Sequence, residues 1–203
     1  MKKNKLLTIG ITGMMGSGKS TALSFFNKKG IKTFDLDVEA KKLLKKNTNC
    51  YKKIVKSFDR KILNSNMTIN RRKLRNLVFN DSAKRQILNS IIHPELGEQV
   101  ISICNNLEKK GGKLVVFEGA LISRKTKIGS FLNYILYIEA PKNILNSRIV
   151  KRDKIDEKNA KKLILMQKMI EKNQKYADFI IRNDSSIKDF ISRLNLVLDK
   201  LPY

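Results

Sequence analysis

The stretch Gly13–Ser20 constrains the fold of this chain more than any other part. It reads G-M-M-G-S-G-K-S and fits the phosphate-binding loop pattern G-x-x-x-x-G-K-S. The apolar run Leu6–Ile11 before it has the length of a buried parallel strand, and Thr21–Lys29 after it carries apolar residues at helical spacing. Gly30 is placed to end that helix as its C′ residue. A glycine-rich turn that matches the pattern by chance would lack this strand–loop–helix setting.

The residue types of the loop indicate what it binds. Glycines let the backbone curl so that successive N–H groups point at one anion, and the helix N-terminus adds partial positive charge. Lys19 is expected to reach the β- and γ-phosphates, and the Ser20 hydroxyl to ligate Mg²⁺. The sequence therefore predicts a site for a nucleoside triphosphate with Mg²⁺. The predicted contact residues are Gly13, Met14, Met15, Gly16, Ser17, Gly18, Lys19, Ser20 and Thr21.

Length and composition suit a soluble α/β protein. The 203 residues, 41% of them apolar, suffice for one α/β domain with an inserted or appended piece. No run of about 18 apolar residues occurs, and Met1–Lys5 leads straight into the first strand. We therefore expect no membrane span and no signal peptide. Cys50 and Cys104 fit no metal-binding spacing, which favours buried or idle thiols in a reducing cytoplasm.

The net charge of +25 has two interpretations. It could reflect a polyanionic partner such as nucleic acid or an acidic membrane. Against this, the lysines are spread along the whole chain and few aromatic residues are interleaved with them. We interpret the charge as a compositional bias combined with phosphate-rich substrates. We therefore expect no specific nucleic-acid partner and no membrane partner. We also expect a monomer.

Two aspartates follow the predicted second strand, Ile31–Phe34. Asp35 and Asp37 stand where the carboxyl end of a strand borders the ligand crevice of an open α/β sheet. The alternative role for Asp37 is to cap a helix over Val38–Lys46. Two aspartates exceed the need of one cap, so we favour a functional role for Asp37.

A long helical region follows, over residues 38–110. Apolar residues recur at helical spacing throughout, and no convincing strand interrupts them. Asn80 or Asp81 is placed to cap one of the helices, and His93–Pro94 is expected to end it, because the residue before proline avoids the α region. About 70 residues are too many for a simple crossover between strands. The region is predicted to be an inserted helical subdomain for a second substrate.

The remaining strands belong to the core of residues 1–37 and 111–203. Leu114–Phe117 is predicted as the third strand and is closed by Glu118, either a metal-side carboxylate or an ordinary strand-end acid. Tyr134–Ile138 is predicted as the fourth strand and Asp178–Ile181 as the last. A final helix carries Phe190, Leu194 and Leu198 on one face.

A charged helical pair lies between the fourth and last strands. Pro141 opens a helix on which Arg148 and Arg152, four residues apart, share one face and are able to grip phosphate oxygens. A solvated basic face is the alternative in so cationic a chain. Asp156 is predicted to cap a second helix that runs to Lys175. Such a charged helix–turn–helix, residues 148–175, is typical of a closing lid.

Over nearly its whole length the chain resembles the dephospho-CoA kinase family. The resemblance is carried in order by Gly10–Gly13 with the loop, Asp35–Asp37, Arg71–Phe79, Ile91–Pro94, Arg148 with Arg152–Asp153, Gln167, and Ala177–Asn183. It implies a P-loop kinase-like parallel β-sheet flanked by helices, with an inserted helical substrate subdomain and a helical lid. The implied activity is ATP-dependent phosphorylation of the ribose 3′-hydroxyl of dephospho-CoA.

The resemblance also implies residue roles. Asp37 would take the acceptor proton, Lys19 and the loop would hold ATP, Arg148 would close from the lid, and Asn183 would approach the adenine. The acceptor would contact side chains from both parts of the chain, namely Thr12, Asp35, Arg71, His93 and Arg152.

One segment departs from the family pattern. Ala120–Arg124 stands where the family usually has Pro-Leu-Leu-Phe-Glu after the third strand. Two other functional classes would keep the loop. One is a P-loop kinase acting on a nucleoside or nucleoside monophosphate, and the other is a binding or regulatory P-loop protein acting on nucleic acid. Sparse aromatic residues and the short chain disfavour the latter.

Overall fold

The computed structural model describes residues 6–79 and 81–203, so Met1–Lys5 and the predicted cap Asn80 lie outside the described residues. It holds a five-stranded parallel sheet of order β2-β3-β1-β4-β5. The strands are β1 Leu7–Thr12, β2 Lys32–Asp35, β3 Leu114–Glu118, β4 Tyr134–Glu139 and β5 Phe179–Arg182. Each predicted strand is confirmed to within one or two residues, as is the predicted α/β fold class.

Helices connect and flank these strands. They are α1 Lys19–Lys28, α2 Leu36–Leu43, α3 Asn49–Phe58, α4 Arg71–Phe79, α5 Ser82–Lys109, α6 Lys127–Phe131, α7 Lys142–Asp153, α8 Glu157–Leu165, α9 Lys168–Lys172 and α10 Ile187–Leu198. Short 3₁₀ turns cover Arg60–Ile62 and Asn173–Tyr176. No helix in the described part of the chain is long and apolar enough to cross a bilayer.

The chain divides into two compact units. The sheet unit comprises residues 1–35 and 104–203, and the helical unit comprises residues 36–103. In the sheet unit, the buried strand residues Ile9, Ile11 and Val116 pack with Phe26 of α1 and Phe190 of α10. Burial on both faces explains why the central strands read as continuous apolar runs instead of alternating ones.

The helical unit has a core of its own. Cys50, Ile54 and Phe58 of α3 pack with Ile62 and with Leu74 of α4. Their spacing at i, i+4 and i+8 places the three α3 residues on one stripe of that helix. The unit therefore has the packed interior that a separately folded subdomain needs.

The start and end of α1 follow the sequence signals. Gly30, with φ 79°, donates its N–H to Asn27, and the N–H of Ile31 reaches Phe26 O at 3.2 Å. This pair of bonds is the Schellman motif, in which a left-handed C′ residue satisfies the last helical carbonyls. The prediction of Gly30 as the C′ residue is confirmed.

The predicted helix end at His93–Pro94 is wrong. Helix α5 runs through Pro94 to Lys109, and Asp81 caps its start by accepting from Lys84 N at 3.0 Å. Pro94 has no N–H for the Ser90 carbonyl, so one helical bond is lost there. Ile91 and Ile92 pack on the helical core before the proline, and Leu96 and Val100 are buried after it. Burial on both sides of Pro94 outweighs the local preference of the residue before a proline.

Candidate functional site

Two glycines of the loop have no room for a side chain. Gly13 has φ 144°, and a Cβ atom there would lie 2.3 Å from the carbonyl oxygen of Ile138. Gly18 has φ 105°, and a Cβ atom there would lie 2.2 Å from Nδ2 of Asn183. Only glycine adopts these positive φ values without steric cost. The two outer glycines of the motif are therefore required both by backbone conformation and by the neighbours of the loop.

The N-terminus of α1 closes the loop. Gly18 occupies the N-cap position, and among the described residues no side chain caps the helix there. The first turn also holds no acidic residue. The partial positive charge of this helix end is therefore directed at the loop, an arrangement that favours a bound phosphate group.

The loop borders a cleft of about 440 Å³. The lining comprises Gly16, Gly18, Lys19, Ser20, Thr21, Arg148, Arg152, Asn183, Ser185 and Ile187. The charged side chains of this lining are the cations Lys19, Arg148 and Arg152. The structure thus brings the loop together with both predicted lid arginines, and its charge suits a polyphosphate.

Arg148 and Asn183 hold the backbone of the loop. The Arg148 guanidinium donates to Gly16 O and to Asn183 Oδ1, both at 3.3 Å. Asn183, which is 7% exposed, donates from Nδ2 to Ser17 O at 2.7 Å. The amide of Asn183 is therefore engaged by the loop, and its approach to adenine stays a prediction.

Lys19 and Arg152 each have a partner within the sheet unit. Lys19 Nζ donates to Met14 O at 3.1 Å, which folds the side chain back along the loop. Arg152 forms a two-bond pair with Asp153, Nε to Oδ1 at 2.7 Å and a second nitrogen to Oδ2 at 2.8 Å. This pairing raises the pKa of Arg152 and lowers the pKa of Asp153. Asp153 offsets part of the charge that Arg152 brings to the cleft.

Two carboxylates lie together at the carboxyl ends of β2 and β3. Asp35 and Glu118 are register partners, and Glu118, 8% exposed, also pairs in register with Ile11 of β1, the strand that leads into the loop. Neighbouring strands lie about 4.8 Å apart, so the two side chains are adjacent. Carboxylate oxygens at this edge suit Mg²⁺ or its bound waters.

Asp37 is the second residue of α2 and lies in its first turn. The alternative role of Asp37 as the N-cap of a helix starting at Val38 is wrong, because α2 starts at Leu36. A buried neighbour, Glu39, fixes α2 within the helical unit by accepting from Lys42 at 2.7 Å and from Gln99 at 2.6 Å. Asp37 therefore lies inside the first turn of α2 and is not its N-cap.

Thr12 is fully buried, and its hydroxyl donates to Ala120 O at 3.1 Å. An acceptor substrate could bond this hydroxyl only after the Ala120 contact had been broken. The predicted contact of Thr12 with substrate therefore gains no support from its position.

Arg71 and His93 lie in the helical unit. Arg71 is the first residue of α4, which Asn70 caps by accepting from Lys73 N at 3.0 Å. It lines a cleft of about 490 Å³ that also holds Lys45 and Lys46. His93 lies in α5, and partial shielding of its ring from water lowers its pKa below the ordinary value. Both residues are exposed, so a substrate can reach them.

Arg124, in the segment that departs from the family pattern, joins several backbone groups. Its guanidinium donates to Leu132 O at 2.5 Å, to Asn133 O at 2.9 Å and to Gly129 O at 3.2 Å, and it pairs with Asp178 at 2.5 Å. Asp178 in turn accepts from Ile135 N at 2.7 Å. These partners precede or begin β4 and β5, whereas the loop follows the carboxyl end of β1. Arg124 therefore holds the opposite edge of the sheet.

Gln167 makes a contact with the loop that the sequence did not predict. The predicted single helix from Asp156 to Lys175 is wrong: Asp156 caps α8, which ends at Leu165, and a new helix, α9, begins at Lys168. Between them Gln167 accepts from Met15 N of the loop at 2.7 Å. A partner 152 positions away leaves no local signal in the sequence.

Comparison with known proteins gives one consistent family. The family model for dephospho-CoA kinase matches residues 7–189. A dephospho-CoA kinase of Fusobacterium nucleatum is 35% identical over 93% of this chain and 95% of its own length. One from Lactobacillus johnsonii is 34% identical over 95% and 97%. The solved structure of dephospho-CoA kinase from Campylobacter jejuni superposes with a TM-score of 0.70 at 29% identity, covering 95% of this chain and 96% of that one.

Proposed function

The chain belongs to the dephospho-CoA kinase family, and we propose that it transfers the γ-phosphoryl group of ATP to the ribose 3′-hydroxyl of dephospho-CoA, giving coenzyme A. The observation that carries this proposal is the extent of the match. It covers the helical unit as well as the loop, whereas the loop alone occurs in many families. A kinase acting on a nucleoside or nucleoside monophosphate is not favoured, because the full-length relatives are dephospho-CoA kinases.

On the nucleotide side, the loop amides and the N-terminus of α1 hold the phosphates, and Lys19 swings from Met14 O to the β- and γ-oxygens. Ser20, in the first turn of α1, would ligate Mg²⁺, with Asp35 and Glu118 nearest to its waters. These hard oxygen donors fit that ion, which when bound neutralises phosphate charge. Asn183 borders the adenine.

On the acceptor side, Asp37 orients the 3′-hydroxyl and accepts its proton as the oxygen–phosphorus bond forms and the bond from the γ-phosphorus to the bridging oxygen breaks. Asp37 follows the strand-end Asp35 by two residues, so the chain connection keeps the two α-carbons within about 8 Å. Arg148 donates to the transferring group from the rim of the cleft. ADP and coenzyme A are the products.

The acceptor itself is proposed to contact Arg71 and His93 of the helical unit, together with Asp35 and Arg152 of the sheet unit. The proposed contact with Thr12 requires that its hydrogen bond to Ala120 O first be broken. Arg71 stands beside two lysines in its cleft, which suits the pyrophosphate of dephospho-CoA. Residues 148–175 form the proposed lid. A cytoplasmic location and a monomeric state stay predictions from the sequence.

Product analysis tests the proposed activity. The protein is incubated with ATP, Mg²⁺ and dephospho-CoA, and ADP and coenzyme A are quantified, with ³¹P NMR locating the new phosphomonoester. We expect equal amounts of both products and phosphorylation at the ribose 3′ position. ADP formation that dephospho-CoA does not stimulate would contradict the proposal.

A further inference from the structure

Backbone groups of three consecutive residues of the phosphate-binding loop, Met15, Gly16 and Ser17, are held by side chains from distant parts of the chain. Arg148 donates to Gly16 O and Asn183 donates to Ser17 O, as described above. The third contact has the opposite sense, because Gln167 Oε1 accepts from the N–H of Met15 at 2.7 Å. Gln167 thus fixes the direction of a loop N–H, the kind of group with which such loops bind phosphate.

The Gln167 side chain is itself fixed in orientation. Its Nε2 donates to Leu163 O in α8 at 3.1 Å. A rotated amide would direct its NH₂ at the Met15 N–H and its oxygen at the Leu163 carbonyl, two repulsive contacts. The two bonds therefore select one orientation, with the oxygen toward the loop.

The backbone around Gln167 is arranged to deliver this side chain. Gln167 has φ −97° and ψ 15° at the N-cap position of α9, and its N–H reaches Ile164 O at 3.0 Å. The flanking Ile164 and Ile170 are buried in one apolar cluster with Met14, the residue before Met15. The break between α8 and α9 is therefore packed against the loop on both sides of the hydrogen bond.

From these contacts we propose that Gln167 is a positioning residue that sets the nucleotide-binding shape of the loop, an inference that rests on the proposed function. Without an acceptor the N–H of the half-buried residue Met15 loses its partner, and the loop rotates to find another. The amides that bind phosphate then have to be reordered when ATP enters, and this reordering weakens binding. The acceptor-binding residues and the proton acceptor Asp37 are not touched.

Isothermal titration of ADP and ATP, together with steady-state kinetics, tests this role. Gln167→Met keeps the length of the side chain and removes both hydrogen bonds. We expect the Kd of ADP and the KM of ATP to rise about tenfold, with kcat and the KM of dephospho-CoA within about twofold of wild type.

Gln174→Met is the matched control. Gln174 lies seven residues later in the same segment, and its Nε2 donates to Glu139 Oε2 at 2.7 Å instead of to the loop. This variant is expected to lose thermal stability without any change in the Kd of ADP. Equal nucleotide affinity in the two variants would overturn the inference.

If Gln167→Met does not fold, Gln167→Glu is the variant that tests the inference. The carboxylate still accepts from Met15 N–H but brings negative charge toward the triphosphate, so the Kd of ADP should rise at pH 8 and fall back as the carboxyl is protonated at lower pH, relative to wild type. If the Kd of ADP for Gln167→Glu equals that of the wild type at every pH, the inference is overturned. A wild-type protein that fails to bind ADP would contradict the proposed function, whereas wild-type binding with unaltered variants contradicts the role of Gln167 alone.

Discussion

The sheet unit and the helical unit use their polar side chains differently. Around the phosphate-binding loop, Gln167, Arg148 and Asn183 each hold a backbone group of the loop. In the helical unit, Arg71 and His93 are exposed at the start of α4 and within α5. The phosphate-binding loop is thus fixed in advance of binding, whereas the acceptor contacts proposed for the helical unit are side chains that the solvent reaches. Substitutions in the two units should therefore change different kinetic constants.

Asp37, at the chain junction between the units, should show the largest effect. Asp37→Asn keeps the shape of the side chain and removes the proton acceptor, so kcat should fall by about 10²–10⁴-fold. ADP affinity and thermal stability should stay near wild type, because the amide of Asn has the size of the carboxylate and keeps an oxygen that accepts hydrogen bonds. Asp35→Asn is the paired variant. If it abolishes turnover while Asp37→Asn does not, the two roles are exchanged.

Arg148→Ala should show the next largest effect, a loss of about 10²-fold in kcat. The guanidinium lines the cleft and is held there by weak 3.3 Å contacts that it can exchange for phosphate oxygens. Arg152→Ala, one helical turn later, is the control and should lose less, because Asp153 already occupies its guanidinium. If Arg148→Ala leaves kcat unchanged, Arg148 has no catalytic role and belongs to a solvated basic face.

Arg71→Ala tests the proposed role of the helical unit in binding dephospho-CoA. Loss of one charged contact to dephospho-CoA should raise its KM about tenfold, while the KM of ATP stays constant. The neighbouring Arg72→Ala removes the same charge from the next position of α4 and serves as the control. If the KM of ATP rises as much as the KM of dephospho-CoA, Arg71 is not specific to the acceptor. The assignment of nucleotide binding to the sheet unit and acceptor binding to the helical unit would then be wrong.

Arg124→Met should leave the kinetics unchanged and lower the free energy of unfolding by about 1–3 kcal/mol, since several carbonyls lose their donor. Chemical denaturation measures this loss, with Lys125→Met, the adjacent exchange of a cation for Met, as the control. A fall in kcat/KM for dephospho-CoA with no loss of stability would place Arg124 at the acceptor instead.

The sequence predicted those features that local chemistry determines. A strand buried on both faces must be apolar throughout, so Leu114–Phe117 and Tyr134–Ile138 were recognisable as strands. The conformation of Gly13 requires glycine and that of Gly30 favours it. The loop motif predicted the first of these positions, and the helix-ending C′ position predicted the second. These features depend on a few neighbouring residues.

The features that the sequence did not predict depend on partners far along the chain. Helix α5 continues through Pro94 because apolar residues on both sides are buried, and α8 ends before Gln167, whose side chain bonds to Met15. Arg124 could not be distinguished among 43 basic residues, because its partner Asp178 lies 54 positions away. In each case tertiary contacts outweigh local preference.

The ratio of kcat/KM values for dephospho-CoA and AMP, at saturating ATP and Mg²⁺, tests the central claim most directly. AMP carries an adenine ribose with a free 3′-hydroxyl. It lacks the pantetheine arm of dephospho-CoA and the pyrophosphate that the Arg71 cleft is proposed to bind. We predict a ratio of at least about 10² in favour of dephospho-CoA. A ratio near or below one would contradict the account and favour a nucleoside monophosphate kinase.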